Sequence, residues 1–331
     1  MATIRDVARR AGVSVGTVSR VLSKHEAVKT ALRENVEKAI QDLNYRPNLV
    51  ARAMRTNRTD IIGLVLPDIT NPFFAQLAKD VEMAAARFGI SVMLANSLEN
   101  AELQELRITA ILDRSPRGVI VVATGESIHI KAIGDVPLVA LDRPFPGFPF
   151  VSTDHVNSAA LAADHLYTLG HRRICYIAGP RDTAVSKLRE GGFVERIKVL
   201  AQRHEPIDLT VMEGAFDYAS GETIARRLLG QRPEERPTAI ATSSDQQAIG
   251  VIRAARDMGV RIPEDLSVVG YDDITLASLV VPRLSTIRQP TGELAMAAVK
   301  MILGGDEPPQ SASLLGSLVH RSSSSHPPKE S

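Results

Sequence analysis

The sequence predicts an α/β protein that begins with a short all-helical segment. Between residues 61 and 303, apolar runs of strand length alternate with amphipathic stretches of helix length. This alternation favours parallel, doubly wound sheets. There are enough strands for two such sheets, so we expect two lobes with a cleft between them.

The N-terminal segment carries the signals of three short helices. Thr3 and Asp6 form a potential capping box, and Gly12 is placed to end the first helix. Ser14 can cap a second helix, and a third is expected over residues 30–43. The apolar residues expected to face inward from the third helix are Leu32, Val36, Ala39, Ile40 and Leu43.

The rest of the chain supplies the elements of the two lobes. The apolar runs predict strands at Ile61–Leu66, Ile90–Ala95, Gly118–Ala123, Pro137–Leu141, Ile174–Ala178, Thr210–Glu213, Ala239–Thr242 and Leu266–Gly270. The amphipathic stretches predict helices near 73–88, 101–114, 156–169, 186–203, 218–229, 245–258 and 291–303. Residues 322–331 are rich in serine and proline and are expected to form a disordered tail.

Charge is distributed unevenly along the chain. Residues 1–60 carry 12 Lys and Arg against 6 Asp and Glu, whereas the remainder carries 27 against 32. A basic segment attached to an acidic body is expected when one end of a protein binds a polyanion such as DNA. The alternative is a solvated basic surface without a partner.

Several classes of protein are disfavoured by composition and motifs. A single cysteine excludes a disulfide framework and a multi-cysteine zinc site. Apolar runs such as Val119–Ala123 are far shorter than the ~20 residues that span a bilayer, and the first residues lack a signal-peptide core. No phosphate-binding loop, dinucleotide fingerprint or nucleophile elbow is present. We therefore expect a soluble cytoplasmic protein without catalytic residues, bound metal or cofactor.

The first two helices, joined by a tight turn, fit a helix-turn-helix that binds DNA. The second helix of that motif enters the major groove by its N-terminal end. Thr17 and Ser19 suit phosphate oxygens, while Arg20 can pair two ways with a guanine edge. The alternative is a purely structural three-helix unit. The residues expected to contact DNA from this segment are Thr3, Ser14, Val15, Gly16, Thr17, Ser19 and Arg20.

Residues 3–22, TIRDVARRAGVSVGTVSRVL, resemble the headpiece of the LacI/GalR family of bacterial transcriptional regulators. The similarity extends over nearly the whole chain. Its other segments are LNYRPN (43–48), AR (51–52), IGLVLPD (62–68), NPFF (71–74), LGHRRI (169–174) and VGYDD (269–273).

The resemblance implies a domain order and an assembly. It divides the chain into a headpiece (1–46), a hinge helix and linker (47–59), a body (60–321) and the tail (322–331), with crossovers between the lobes near 155 and 286. Members dimerise, and each headpiece binds half of a near-palindromic operator. A homodimer is favoured here over a dimer of dimers, because the C-terminus lacks a heptad repeat.

The hinge helix would contribute a second set of DNA contacts. In the family it orders on operator binding, and Met54 matches the residue that wedges into the minor groove. Arg52 and Arg55 would face phosphates, and Asn48 belongs to the same set. The alternative is a plain interdomain linker.

The N-terminal segment departs from the family pattern at two positions. Ser23 stands where Asn is usual, and Lys29 stands where Ser usually precedes the third helix. We expect Thr30 to cap that helix instead.

The body resembles periplasmic binding proteins, which bind a small effector between two lobes. Ligands in such folds lie beyond the carboxyl ends of the strands. Phe73 is expected to face the cleft, with Phe74 more suited to the core, and Arg189 matches the family's pocket arginine. The effector-binding candidates are Phe73, Phe74, Asp142, Arg143, Arg189, Asp245 and Asp272.

These side chains favour a sugar or sugar derivative as effector, because carboxylates and arginines bind hydroxyl groups and aromatic rings stack on sugar faces. The expected function is a repressor whose operator affinity depends on that effector, with induction and co-repression equally allowed. The alternatives are a purine or nucleoside co-repressor and a transcriptional activator. A secreted solute-binding protein or a doubly wound enzyme is disfavoured by the basic N-terminal segment and the missing catalytic motifs.

Overall fold

The structure, a computed structural model, comprises two compact units, Met1–Thr59 and Asp60–Ser331. We call them the N-terminal unit and the body. The structure describes residues 2–22, 28–45, 59–125, 134–145, 147–203, 206–304 and 310–328.

The N-terminal unit contains α1 (Ile4–Ala11), α2 (Val15–Leu22) and α3 (Thr30–Asp42). The capping box at α1 is confirmed: the Thr3 hydroxyl accepts from the amide of Asp6, whose carboxylate accepts from the Thr3 amide at 2.9 Å. Valines and alanines of the three helices are buried together, so these helices share one small core.

The start of α3 differs from expectation. Lys29 occupies the N-cap without a side-chain cap hydrogen bond, and Thr30 is the first helical residue. A cap side chain must precede the helix, so the expectation that Thr30 caps α3 was wrong. Leu32 is 38% exposed, because the buried residues of α3 begin at Val36 and its first turn lies outside the core.

The body alternates strands and helices along most of its length. Its elements in chain order are β1 (Ile61–Leu66), α4 (Pro72–Ala86), β2 (Ser91–Asn96), α5 (Ala101–Leu112), β3 (Gly118–Val121), β4 (Leu138–Leu141), β5 (Phe150–Thr153), α6 (His155–Thr168), β6 (Arg173–Ala178), α7 (Ala184–Arg203), β7 (Asp208–Glu213), α8 (Tyr218–Leu229), β8 (Ala239–Thr242), α9 (Asp245–Asp257), β9 (Ser267–Asp272), β10 (Ser285–Arg288), α10 (Thr291–Leu303), β11 (Ala312–Leu314) and β12 (Ser317–Val319). Short 3₁₀ turns lie at Pro233–Glu235 and Thr275–Ser278.

These strands form two six-stranded sheets, one in each lobe. Lobe 1 has the order β11-β5-β4-β3-β1-β2 with all pairs parallel. Lobe 2 has the order β12-β10-β9-β8-β6-β7, and only its edge pair β10–β12 is antiparallel. Central strands such as β3, β4 and β8 are buried along their whole length, as expected for parallel sheets covered by helices. Within the described ranges, no helix is long and apolar enough to cross a membrane.

The chain passes between the lobes at three places. It leaves lobe 1 between β5 and α6, returns between β10 and α10, and leaves again between β11 and β12. The third crossover was not anticipated. Its flanking strands, ASL and SLV, are three residues long and carry no clear apolar alternation.

The C-terminal segment also corrects an expectation. Residues 322–328 are not a free tail, because Ser323 and Ser324 are almost fully buried in lobe 2. The Ser323 hydroxyl donates to the carbonyl of Val268 at 2.6 Å and accepts from the amide of Ser285 at 2.8 Å. Serine-rich sequence therefore serves here to satisfy buried backbone groups, a role that composition alone does not reveal.

Candidate functional site

A cleft of about 1300 Å³ separates the two lobes. It lies at the carboxyl ends of strands from both sheets, where parallel α/β sheets bind ligands. Aromatic residues are scarce in this chain, yet five of its eight phenylalanines line the cleft: Phe74, Phe145, Phe148, Phe150 and Phe216. This concentration provides flat apolar faces on which a ring can stack.

Phe74, Arg143 and Glu99 form what we call the cleft wall. The Arg143 guanidinium donates to both Glu99 carboxylate oxygens, at 3.0 and 3.1 Å, and its carbon Cζ lies 5.3 Å from the centroid of the Phe74 ring. Arg143 also donates to the Ala123 carbonyl at 3.3 Å, while its buried Nε has no hydrogen-bond partner. The wall thus combines an aromatic face with an N–H donor that is still available.

The two phenylalanines are both buried in the lobe 1 core. Phe74 also lines the cleft, whereas Phe73, which was expected to face it, is not among the lining residues. Both belong to the first turn of α4, where consecutive side chains point about 100° apart. Asn71 caps this helix by accepting from the Phe73 amide, and it also lines the cleft.

A second group of polar side chains is buried behind the cleft lining. We call Asp142, His155, Arg189, Asp272 and Gln289 the buried cluster; none is among the residues that line the cleft. Arg189 is only 4% exposed. It donates to the Ser243 carbonyl at 2.8 Å and to Asp272 at 3.3 Å, and it stacks on the ring of Tyr271 at 4.0 Å.

The Asp272 carboxylate is tied to two of the three crossover segments of the chain. It accepts from the Gln289 amide at 2.7 Å, and the Gln289 carbonyl oxygen accepts from the Thr153 hydroxyl at 2.6 Å. Burial raises the pKa of Asp272 to about 7, although Arg189 opposes the rise. Its φ of 114° lies in the left-handed region, which is costly for a residue with a Cβ. This chain of contacts joins lobe 2 to the end of β5 in lobe 1.

Asp142 and His155 form the other junction between the lobes. Asp142 follows β4, and a φ of 65° turns its side chain inward, away from the wall that Arg143 joins. Its Oδ1 lies 3.6 Å from His155 Nε2. Burial raises the pKa of Asp142, but His155 and two neighbouring arginines outweigh burial and leave the pKa below its usual value.

Asp245 does not take the place expected for it. It is completely buried and is not among the residues that line the cleft; its neighbour Gln246 is. Its carboxylate accepts from the Ile274 amide at 2.9 Å and from the Thr286 hydroxyl at 2.5 Å. Burial and the nearby Asp272 raise its pKa well above the usual value. Asp245 therefore joins α9 to β9 and β10.

Sequence reasoning missed four residues of this region: Glu99, His155, Phe216 and Gln289. Phe216 lies three residues beyond β7 and Glu99 three residues beyond β2, so the rule that found the other candidates, a polar or aromatic residue just beyond a strand, would have found both. Gln289 and His155 follow β10 and β5, two strands that the sequence analysis did not predict.

Outside this region, two residues of reactive type, Cys175 and His171, are buried in lobe 2. Cys175 is buried in β6, and burial raises the pKa of its thiol to about 12. His171 packs in lobe 2, where it hydrogen-bonds to the Thr238 and Ser267 hydroxyls. Among the described residues, no group of three or more His, Cys, Asp or Glu is placed to hold a metal ion.

The exposed start of α2 is the candidate DNA surface. Ser14 caps the helix by accepting from the Thr17 amide at 3.1 Å, and the two hydroxyls lie 3.0 Å apart. Val15, Gly16 and Arg20 are exposed on the same helix, while Thr17 and Ser19 are half-buried. A Cβ added to Gly16 would meet only the Ser14 hydroxyl, at 3.6 Å, so this position has space for a base edge to approach.

The remaining predicted DNA contacts fall outside the described residues. They are Asn48, Arg52, Met54 and Arg55.

Comparisons with known proteins agree with this architecture. The family described as bacterial regulatory proteins, lacI family, matches residues 3–48, and a periplasmic binding protein-like domain matches residues 163–324. The ribose operon repressor of Halalkalibacterium halodurans is 37% identical over 92% of this chain and 90% of its own length. The HTH-type transcriptional repressor PurR of Edwardsiella ictaluri is 35% identical over 92% and 90%.

Solved structures extend the similarity to three dimensions. The lac repressor dimer bound to operator and an anti-inducer has a TM-score of 0.80 and 29% identity, covering 98% of this chain and 99% of its own. A LacI family regulator from Enterococcus faecium with bound ribose has a TM-score of 0.70 and 27% identity, covering 80% and 99%. The chain belongs to the lacI family of bacterial regulatory proteins, which are DNA-binding repressors controlled by small effectors such as sugars or purines.

Proposed function

We propose that this protein is a cytoplasmic transcriptional repressor whose operator affinity is set by a neutral sugar of the D-ribose class. The observation that carries the proposal is an aromatic cleft wall with the charged groups Arg143 and Glu99 in the lining, and a buried cluster of carboxylates and an arginine behind it. Carboxylates accept hydrogen bonds from hydroxyls, arginine donates to ring and hydroxyl oxygens, and an aromatic face packs on the C–H face of a sugar. The similarity to ribose operon repressors and to a ribose-bound regulator supports the same assignment.

The charge of the cleft favours a neutral effector over a phosphate ester. Among the described residues that line it, the carboxylates Asp68, Glu99, Asp182 and Asp217 face a single cation, Arg143. Arg143 is already paired with Glu99, and Arg189 is already paired with Asp272. A phosphate dianion would therefore meet a net negative cleft, with no uncompensated cation to hold it.

DNA recognition is assigned to the N-terminal unit acting in a homodimer. We propose that Val15, Gly16 and Arg20 contact base edges, and that Ser14, Thr17 and Ser19 contact phosphates, with Thr3 at the start of α1. The hinge set (Asn48, Arg52, Met54 and Arg55) would add minor-groove and phosphate contacts. Two N-terminal units related by a twofold axis suit a near-palindromic operator.

Effector and operator binding are coupled in this proposal. A coupling free energy of about 1–3 kcal/mol is typical of allosteric proteins, and it is reciprocal. Operator DNA should therefore change ribose affinity by the same factor by which ribose changes operator affinity. Neither half of the mechanism requires a catalytic step.

A purine is the second candidate effector. Phe74 and Phe216 offer faces on which a base can stack, and a chain named PurR is among the similar proteins. In that case the ligand would act as a co-repressor and strengthen operator binding.

The test begins with an operator selected in vitro from random duplexes by the purified full-length protein. Fluorescence anisotropy then measures operator affinity with D-ribose, ribose 5-phosphate or hypoxanthine present. We expect ribose alone to change the affinity by tenfold or more. A response only to hypoxanthine would establish the purine alternative, and a response to ribose 5-phosphate equal to that of ribose would contradict the neutral-effector assignment.

An Arg20→Ala variant tests the DNA half separately. Loss of one bidentate arginine–guanine contact is worth about 1–3 kcal/mol and should relax preference at a single base pair of each half-site. Equal weakening on every sequence would show that Arg20 contacts only the backbone.

A further inference from the structure

His155 occupies an unusual place at the first passage between the lobes. It is the first residue of α6 and lies two residues beyond β5, where the chain first leaves lobe 1; it is 2% exposed. It lies between Asp142, which belongs to lobe 1, and Arg189 and Tyr271, which belong to lobe 2. No sequence motif and no part of the proposed function uses this imidazole.

The contacts of His155 Nδ1 determine the tautomer of the imidazole. Arg189 Nε lies 3.3 Å from Nδ1, and an arginine nitrogen can only donate. The Tyr271 hydroxyl lies 3.0 Å from the same atom. Nδ1 must therefore accept, which places the ring hydrogen on Nε2. Burial and the charge of Arg189 lower the pKa of His155, so the ring stays neutral.

The second nitrogen faces a carboxylate oxygen that it does not reach. Nε2 and Asp142 Oδ1 are 3.6 Å apart, beyond the usual 2.7–3.2 Å of an N–H···O hydrogen bond. Both atoms are buried, and neither has another hydrogen-bond partner. A buried N–H and a buried carboxylate oxygen left unpaired cost free energy, so a small approach of the two groups is favourable.

We infer that His155 is a positioning residue that links the lobes: its Nε2–H bonds Asp142 when the cleft closes on the effector. The link runs from Arg189 in lobe 2, through the imidazole, to Asp142 in lobe 1. In the structure described here its last contact is open. A movement of about 0.5 Å or more would bring Nε2 within hydrogen-bond distance of Asp142. Closure of the lobes would then align Arg189 and Asp142 in the same step.

The inference rests on the proposed ribose site, so the first measurement is independent of it. Protein labelled with ¹⁵N-histidine, without ligand, reports each ring by long-range ¹⁵N–¹H correlation. The signal of His155 is assigned by its loss in a variant. We expect the Nε2–H form with an unprotonated Nδ1 at pH 6. A ring protonated on Nδ1, or a charged ring, would overturn the inference whether or not ribose is the effector.

The second measurement compares two amide variants by calorimetric titration with D-ribose. In His155→Gln, the amide nitrogen takes the position of Nε2 and keeps the donor to Asp142. This variant loses the acceptor for Arg189 Nε, but Arg189 keeps its hydrogen bonds to Ser243 and Asp272. In His155→Asn, the shorter amide reaches only the position of Nδ1, so it keeps the acceptor for Arg189 and loses the link between the lobes. We expect Gln to bind ribose within about threefold of the unmodified protein and Asn to bind at least tenfold more weakly.

His165→Gln is the matched control, because His165 lies on the same helix and bonds only to Ser324 among the contacts described. It should leave ribose affinity unchanged. Equal losses in the Gln and Asn variants would mean that His155 only fills space, and an unchanged Asn variant would mean that the link does not form; either result overturns the inference. Absence of ribose binding by the unmodified protein would instead refute the proposed function. The tautomer of His155, measured by ¹⁵N–¹H correlation, would then be the remaining test of the inference.

Discussion

The candidate effector site contains two arginine–carboxylate pairs that differ in how well water reaches the carboxylate. In the cleft wall, Arg143 pairs with Glu99, and their side chains are 11% and 51% exposed. In the buried cluster, Arg189 pairs with Asp272, and both side chains are at least 91% buried. Water can hydrate Glu99 in place of Arg143, whereas Asp272 must be satisfied entirely by protein groups.

The difference shows how one dipeptide can serve two environments. Asp142 and Arg143 are neighbours in the chain, yet Asp142 joins the buried cluster and Arg143 joins the wall. The left-handed φ of Asp142 sends the two side chains in different directions. We expect the wall to tune affinity and the buried cluster to determine whether the site forms at all.

Arg189→Met should have the largest effect. It leaves the Asp272 carboxylate and the Ser243 carbonyl buried without their donor, and breaking a buried pair costs roughly 3–5 kcal/mol of unfolding free energy. Ribose affinity should fall by at least about a hundredfold. Urea unfolding and calorimetric titration measure the two effects.

The double variant Arg189→Met/Asp272→Asn is the control for this experiment. It removes the unpaired charge, so it should recover most of the stability while ribose binding stays lost. If the single variant were as stable as the unmodified protein, the distinction between wall and buried cluster would fail.

Arg143→Met should have a smaller effect. Arg143 is mostly buried, but the Glu99 side chain is 51% exposed and can be hydrated after its partner is removed. Stability should therefore change little, while ribose affinity should fall by about tenfold through loss of one charged donor. A stability loss equal to that of Arg189→Met would contradict the comparison.

Asp272→Asn should change the pH dependence of stability. The pKa of Asp272 is raised from 3.8 to about 7, mainly by burial. Between these values the folded protein holds a proton that the unfolded chain has lost, so the stability from this group falls as pH rises from about 4 to 7. The Asn variant should lack that fall, which denaturant unfolding at several pH values would detect. Parallel curves for the two proteins would show that Asp272 titrates normally.

The histidines of lobe 2 near the C-terminal segment should show the opposite slope, and their effect on stability appears only below about pH 6.5. Burial lowers the pKa of His165 and of His171 from 6.5 to about 4. The unfolded chain therefore binds more protons in that range, and stability is lost as pH falls from about 6.5 to 4. Replacing both histidines with Gln should reduce this loss of stability between about pH 6.5 and 4 in the same unfolding experiment. An unchanged loss would show that these histidines do not cause it.

Much of the fold could be predicted from the sequence because its elements are long and strongly patterned. Strands Ile61–Leu66 and Ala239–Thr242 and helices Tyr218–Leu229 and Thr291–Leu303 have the expected bounds. The strands that the sequence did not predict are β5, β10, β11 and β12, each three or four residues long. They are held by pairing with neighbouring strands and lack a clear apolar pattern of their own.

The candidate site was predicted less completely, for a different reason. Sequence position placed Asp245 at the start of a helix beyond a strand, but it could not tell whether its carboxylate faces the cleft or the protein interior. The same limit applied to Phe73 and Phe74, which both pack in the lobe 1 core while only Phe74 also lines the cleft. Which way a side chain turns depends on a few degrees of backbone rotation and on partners distant in the chain, such as Ile274 and Thr286 for Asp245.

The three passages between the lobes have a consequence for biosynthesis. Lobe 1 begins at β1 but lacks α10 and β11 until residue 314 has been made, after nearly all of lobe 2. A growing chain generally folds its domains in order from the N-terminus, yet this lobe cannot be finished in that way. Its β5 edge and the apolar surface that α10 covers must wait, unpaired, while lobe 2 is synthesised. The interleaved chain therefore makes the nascent protein a candidate client for chaperones that shield apolar surface.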